Sequence, residues 1–284
     1  MTKASAPVPR SWLFVPGDSP RKMEKALESG ADALILDLED AVAPRAKPEA
    51  RRMVARFLAR PAPMPRHVRI NALDSGQAEA DLAATLMERP DGYVLPKCEG
   101  PDDIDRLERM TAGLGDPLAV TVIATETARG LRRLQRMDWS HPALTAITWG
   151  GEDLSADLGA SQNRDAEGRY LPLFRLARDT ALLAAREAGV AAIDAVFTAL
   201  DNPDGLRTET AEAAALGFDG KLAIHPAQIG PIHAGFAPTP AQIRWARQVV
   251  ALLEGSGTAR LDGQMLDRPH LRKAQRILSR AGTV

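Results

Sequence analysis

A single cysteine, Cys98, stands in 284 residues, which excludes an internal disulfide and fits a reducing compartment. Neither sign of charge predominates: 36 Lys and Arg against 37 Asp and Glu leave a net charge of −1. Nothing in that balance points to nucleic acid or to a membrane surface as a partner. The five histidines are scattered, and no His-x-Glu or Cys-x-x-Cys spacing suggests zinc. The opening stretch MTKASAPVPRSW has no apolar core, so no secretory signal is expected. No apolar run approaches the roughly 20 residues a membrane-spanning helix needs. The sequence also lacks disordered linkers and low-complexity tracts. These absences together describe a cytoplasmic protein.

What is present is an alternation of short apolar strands and amphipathic helices. The hydrophobic content of 45% gives ample core for one large domain or two small ones. Strands are expected at Ser11–Val15, Ala33–Asp37, His67–Ile70, Gly92–Leu95, in the segment from Ala119, in LTAITW, at Ala192–Phe197 and at Lys221–Ile224. Helices fall between them, at Pro20–Ser29, Pro48–Ala59, Ala78–Glu88, from Pro101, from Thr127, and at Leu173–Ala188 and Pro203–Leu216. Eight βα repeats in this length predict an α/β fold, a (β/α)8 TIM barrel. A doubly wound open sheet would need a glycine-rich dinucleotide or phosphate loop after an early strand, and none is present. PTPAQIRWARQVVALLEG reads as a closing helix. The barrel domain is therefore read as 1–254, with a C-terminal helical extension at 255–284: turn, short strand, loop and amphipathic helix.

The stretch AVTVIATETARG organises the chemistry. An apolar, β-branched run ends on one carboxylate, Glu126, and Thr127 caps the helix that follows. One βα unit later, LTAITWGGEDLSADLG repeats the pattern with a glycine pair before Glu152 and Asp153. Carboxylates at successive strand ends can share a hard divalent cation such as Mg²⁺. In a barrel the C-terminal strand ends form one face. The residues delivered there are Asp18; Asp37, Glu39 and Asp40; Arg69 and Asn71; Lys97 and Glu99; Glu126; Glu152 and Asp153; Asp201; and His225. That acidic face with a few cations suits a metal and an anionic substrate.

Seven ordered segments resemble the citrate lyase β-subunit family, also called the HpcH/HpaI aldolase and malyl-CoA lyase superfamily. They are RSWLFVPGDSPRKMEKAL, ALILDLEDAV, VRIN, YVLPK, ETARG, WGGEDLSADLG and KLAIHPAQI, and the likeness runs from Arg10 to about Arg280. The resemblance implies that Glu126 and Asp153 ligate Mg²⁺, with Glu126 also beside the bound substrate. It implies that Arg69 grips the substrate carboxylate and polarises its carbonyl oxygen. Asp37, with Glu39 and Asp40, would support the metal through water. GQMLD resembles a GxMxD element, so Asp267 would reach into a neighbouring subunit's site as the acid–base group. Arg21, Lys47 and His225 would contact coenzyme A. The implied reaction is cleavage of a 3-hydroxyacyl-CoA thioester such as citryl-CoA or malyl-CoA to acetyl-CoA and an α-keto acid, oxaloacetate or glyoxylate.

The implied assembly is a homo-oligomer, a trimer or hexamer, with the extension packed on a neighbour. An acyl-carrier partner subunit is implied if the protein works as a true citrate lyase component. Two other readings stay open: a malyl-CoA thioesterase or malate synthase-like enzyme using the same site, and a non-catalytic scaffold subunit. Several residues also have plainer readings. Asp37 could cap the loop after its strand, Asp267 could be a surface acid, and His225 before Pro226 reads better as structural or cofactor-edge than as a base. Glu152 is assigned to solvent or a structural bond. Cys98 follows Lys97, yet inert packing is the expectation for its thiol. The basic run ARGLRRLQRM is read as the solvated face of the fifth helix.

Overall fold

The computed structural model describes residues 8–112 and 118–282. Most of the opening stretch read for a signal sequence lies outside these residues. Eight strands pair in parallel, in chain order, and close on themselves. They are β1 (Ser11–Pro16), β2 (Ala33–Asp37), β3 (Arg66–Arg69), β4 (Gly92–Leu95), β5 (Val120–Ile123), β6 (Leu144–Thr148), β7 (Ala191–Asp194) and β8 (Gly220–Ala223). The (β/α)8 barrel expected from the alternation is the fold found. Inside it, Trp12, Ala33, Ile35, Val94, Ile123, Ala146, Ile193 and Leu222 form one apolar plug. Neighbours one residue along, such as Leu34, Leu36, Tyr93, Leu95 and Ile147, are equally buried on the outer wall. Burial on both faces is why these strands read as continuous apolar runs.

The helices between the strands are α1 (Pro20–Ala26), α2 (Lys47–Leu58), α3 (Ala78–Thr85), α4 (Pro101–Thr111), α5 (Ala128–Leu134), α6 (Gly151–Asp157), α7 (Pro172–Glu187), α8 (Pro203–Leu216) and α9 (Ile229–Phe236). Proline stands in the first turn of α1, α2, α4, α7 and α8, where its fixed φ is preorganised and its missing N–H is no loss. Thr127 caps α5 by accepting from the Gly130 N–H at 2.9 Å. Helix α1 stops three residues before the expected Ser29 because Leu27–Ser29 turn to tighter i→i−3 bonds. Strand β7 ends at Asp194, short of the expected Phe197, where that carboxylate enters a buried ionic network. No helix among the described residues is long and apolar enough to cross a membrane.

The described chain forms two compact units, 8–235 and 236–282. In the second, helix α10 (Pro240–Leu253) and helix α11 (Arg268–Arg280) share an apolar seam of Ala246, Val249, Leu253, Leu266 and Ala274. The segment read as the barrel's closing helix thus packs on the tail helix, and the short α9 follows β8 instead. Between α10 and α11 the expected strand-then-loop is a hairpin of β9 (Ala259–Leu261) and β10 (Gln264–Leu266). Its turn is Asp262-Gly263, both at positive φ (47° and 82°). Asp-Gly is the pair a two-residue hairpin of this hand requires.

Candidate metal and substrate site

The register of β2 against β3 sets Asp37 directly opposite Arg69. Their side chains meet in a two-pronged ion pair, with Arg69 Nε donating to Asp37 Oδ1 at 2.8 Å and Nη2 to Oδ2 at 2.6 Å. Asp37 also accepts the backbone N–H of Glu39 (2.9 Å) and of Ala41 (3.1 Å). Four donors fill its acceptor positions, so Asp37 holds the arginine and the following turn. The third edge of the guanidinium, Nη1, lies 3.0 Å from Glu39 Oε2, and the Phe14 ring centroid is 4.7 Å away. Burial works against the cation, but Asp37 and Glu39 outweigh it and hold the Arg69 pKa above its ordinary value.

After β4 the chain passes Pro96 to Lys97, a non-glycine residue at φ +50°. That conformation costs on the order of 1 kcal/mol. It aims the Lys97 N–H at Glu126 Oε2, in a short hydrogen bond. The Lys97 ammonium meanwhile reaches Glu39 Oε1 at 2.8 Å and Asp153 Oδ1 at 3.5 Å. One residue therefore touches all three carboxylates. Glu126 ends the β5 segment and is only 3% exposed, while Asp153 sits in the first turn of α6. Gly150 lies against Glu126 so closely that a Cβ there would come within 2.6 Å of Glu126 Cγ.

The electrostatics favour a positive charge here. Burial, then repulsion from Glu39 and Asp153, pushes the Glu126 carboxyl up to about 8. Glu39 is raised as well, chiefly by burial. A divalent cation between Glu126 and Asp153 would relieve that crowding. Two carboxylates leave most of an octahedral shell for water and substrate oxygens, which is how Mg²⁺ is held in working sites. The donor set is all oxygen, and it fits a hard ion. Beside Lys97 a cleft of about 210 Å³ opens, lined by Leu95, Pro96, Glu99, Asp103 and Arg129 among others.

The other residues singled out from the sequence fall elsewhere. Lys47 is buried, and its ammonium donates to Leu38 O (2.9 Å), Glu39 O (2.9 Å) and Asn71 Oδ1. It braces the turn after β2 from below. Arg21 is exposed in the first turn of α1, and His225 is exposed at the end of β8. The His225 Nδ1 accepts the Ala227 N–H at 3.1 Å, which makes it a cap. Asp267, in the second unit, is the N-cap residue of α11, with Oδ1 2.6 Å from His270 Nδ1. Glu152 accepts from Asn163 Nδ2 at 2.9 Å, a structural bond. The Cys98 thiol is 2% exposed, and burial pushes its pKa far above the ordinary value, so it is inert.

Sequence reasoning placed Lys97 and Glu39 at the strand ends but gave Lys97 no role. Its signal was the Pro-Lys pair closing an apolar strand two residues before another acid, Glu99. A separate cluster of Asp105, Glu108 and His141 lies outside this site. There His141 Nδ1 accepts the Ala143 N–H. In the neutral ring the proton then sits on Nε2, which donates toward Asp105 at 3.2 Å. That makes the ring a donor to the carboxylates and not a metal ligand.

A closed barrel with a carboxylate pair, an anchored arginine and a lysine at its strand ends is an arrangement suited to an anionic substrate and a divalent cation. Residues 10–226 match the model of the HpcH/HpaI aldolase/citrate lyase family, and the chain belongs to that family of carbon–carbon lyases. It is 35% identical to the mitochondrial citramalyl-CoA lyase of Rattus norvegicus, over 97% of this chain and 86% of that one. It is 36% identical to the (3S)-malyl-CoA thioesterase of Cereibacter sphaeroides, over 97% and 95%. The crystal structure of CitE from Mycobacterium tuberculosis, in complex with magnesium, acetoacetate and coenzyme A, superposes with a TM-score of 0.83. That likeness holds at 35% identity and covers 98% of this chain and 99% of CitE.

Proposed function

We propose that this enzyme is a Mg²⁺-dependent lyase that splits a short, carboxylate-bearing 3-hydroxyacyl-CoA into acetyl-CoA and an α-keto acid. Citryl-CoA, malyl-CoA and citramalyl-CoA are the substrates in view. The observation that carries this reading is the meeting of Glu126, Asp153 and Glu39 at Lys97, beside an Arg69 already fixed by Asp37. The relatives support it: one is a citramalyl-CoA lyase, and one is a structure with magnesium, a keto acid and coenzyme A. Mg²⁺ held by Glu126 and Asp153 would supply Lewis-acid charge to substrate oxygens.

Arg69 binds the substrate carboxylate through the N–H groups that Asp37 and Glu39 leave free, and it stabilises charge on the oxygen that becomes the keto group. Lys97 holds Glu39 and Asp153 in place and adds a second positive charge to the pocket. The 3-hydroxyl loses its proton to solvent as its oxygen becomes the keto oxygen, and the electrons of the breaking carbon–carbon bond pass to the thioester enolate. Asp267 in its protonated form, supplied by a neighbouring copy in a ring of three or six, gives its proton to the enolate carbon and is reprotonated from solvent. In an isolated homo-oligomer the substrate is a free CoA ester, so no acyl-carrier subunit is needed. A reducing cytoplasm suits the lone buried thiol.

The test is product analysis on the three CoA esters. Acetyl-CoA and keto acid are expected in equal amounts, abolished by EDTA and restored by Mg²⁺. Glu126→Gln and Asp153→Asn should abolish turnover with unchanged melting temperature. The thioesterase relative marks the second reading: release of free CoA with intact hydroxy acid would replace the lyase assignment by hydrolysis in the same site.

A further inference from the structure

Behind the Asp153 turn, on the outer wall of the barrel, lies a buried ionic network that the reaction does not use directly. Asp194, at the end of β7, is wholly buried. Its Oδ1 accepts from Arg178 Nε (3.0 Å) and Trp149 Nε1 (2.8 Å), and its Oδ2 from Arg178 Nη2 (3.1 Å) and Lys221 Nζ (2.8 Å). Lys221, also wholly buried, donates further to Glu209 Oε1 (2.9 Å), which shares its other oxygen with Arg164 (2.6 Å). Three cations and two carboxylates thus stand where a barrel ordinarily packs leucine and valine between strand and helix. For stability alone such a network is a weak choice, because well-packed apolar residues do as well or better. Its fixed geometry is what apolar packing cannot supply.

Trp149 is the member that adjoins the Asp153 turn. It follows β6 directly and is 1% exposed. Its ring runs beneath the glycine pair, so a Cβ on Gly151 would come within 3.1 Å of Trp149 Cζ3. Tyr170 closes the other side edge-on, with ring centroids 4.8 Å apart, and Arg164 stacks on Tyr170 at 3.7 Å. The indole is held by one directed bond, from its N–H to Asp194, and by these ring contacts. Gly150 rests on Glu126, Gly151 opens α6, and Asp153 follows two residues later. The position of this ring therefore sets the height and tilt of the turn between the two carboxylates.

We propose that Asp194, acting through the Trp149 indole, is a positioning residue for the Asp153 turn and so for divalent-cation affinity. This rests on the assignment of Glu126 and Asp153 as the cation ligands. Outer partners that orient ligand-bearing groups are worth about 10- to 100-fold in metal affinity.

Trp149→Phe removes both the N–H that Asp194 accepts and the six-membered ring whose Cζ3 and Cη2 lie against Gly151, and leaves a smaller ring in the same cavity. Titration of the full chain with Mn²⁺, followed by electron paramagnetic resonance, should show affinity weakened about tenfold. The Mg²⁺ concentration for half-maximal activity should rise in parallel, while kcat at saturating Mg²⁺ stays within about twofold of wild type. Gly151→Ala, which presses on the same ring from above with its N–H intact, should weaken Mn²⁺ binding too, and serves if the Trp149 variant does not fold. Leu58→Ala, at the buried C-terminal end of α2 and outside this network, should lower the melting temperature without changing Mn²⁺ affinity. Unchanged affinity in both turn variants, with binding lost in Asp153→Asn, would overturn the positioning role and leave the ligand assignment standing. Equal loss of affinity in Leu58→Ala would overturn it as mere destabilisation. Normal Mn²⁺ binding by Asp153→Asn would remove the ligand assignment, and this proposal with it.

Discussion

Arg69 reaches the substrate pocket with two of its five N–H groups already bonded to Asp37 and its Nη1 3.0 Å from Glu39 Oε2. A guanidinium so anchored loses little rotational freedom when it binds a carboxylate, and its remaining donors keep the planar spacing a carboxylate matches. Lysine at this position would keep the charge and lose the fork. It would also leave the nearly buried Asp37 short of a partner. Arg69→Lys should therefore cost about 2–4 kcal/mol of transition-state stabilisation, on the order of 30- to 1000-fold in kcat/KM. Steady-state kinetics on the preferred CoA ester measures it, with a thermal melt to separate misfolding from lost chemistry. An unchanged kcat/KM would remove Arg69 from the carboxylate-binding role.

At the level of the strand, β3 carries an acid sensitivity of its own. His67 lies 4.6 Å from the Trp12 ring, and its Nδ1 is buried without a hydrogen-bond partner among the described residues. Burial pulls its pKa down from 6.5 to about 4. Between those values the unfolded chain takes up a proton that the folded chain refuses. Stability from this group is thus complete above pH 6.5 and falls as the pH drops toward 4, by about 1.4 kcal/mol per unit. His67→Leu, of similar volume, should flatten that part of the curve when urea melts are run at pH 7, 5.5 and 4.5. Identical slopes in the two proteins would refute it.

The same strands show what was legible beforehand. Strands β2 and β4 were readable to the residue because apolar runs buried on both faces end at an acid or a proline. The strand-end placing of Glu126 was legible because it closes such a run, whereas Arg69 lies within its run and Asp153 beyond a glycine pair, so their ordered motifs and not the run ends singled them out. Asp194 and Lys221 were not, since one charge at a strand margin reads as solvent-facing whichever way the register turns it. The second strand of the hairpin was missed although Asp262-Gly263 carried its turn signal. Asp37 was expected behind a metal, and only the β2–β3 register reveals that Arg69 claims it.

At the scale of the whole molecule, the second unit is a body with its own core. Its α10–α11 seam is apolar and self-contained, so the unit can keep its shape whatever surface it meets. Asp267 stands at the start of α11, about one-third exposed, with His270 as its neighbour. In a closed ring each tail would complete the next copy's site, and the residue would act in trans. Glu126→Gln and Asp267→Asn proteins should each be inactive alone. Mixed under conditions of subunit exchange, they should regain activity, because some sites would pair a native Glu126 with a native Asp267 from the adjacent chain. In a trimer mixed in equal parts, about one site in four would do so. A mixture that stays inactive despite verified exchange, or a fully active monomer on a sizing column, would show that Asp267 does not work across an interface.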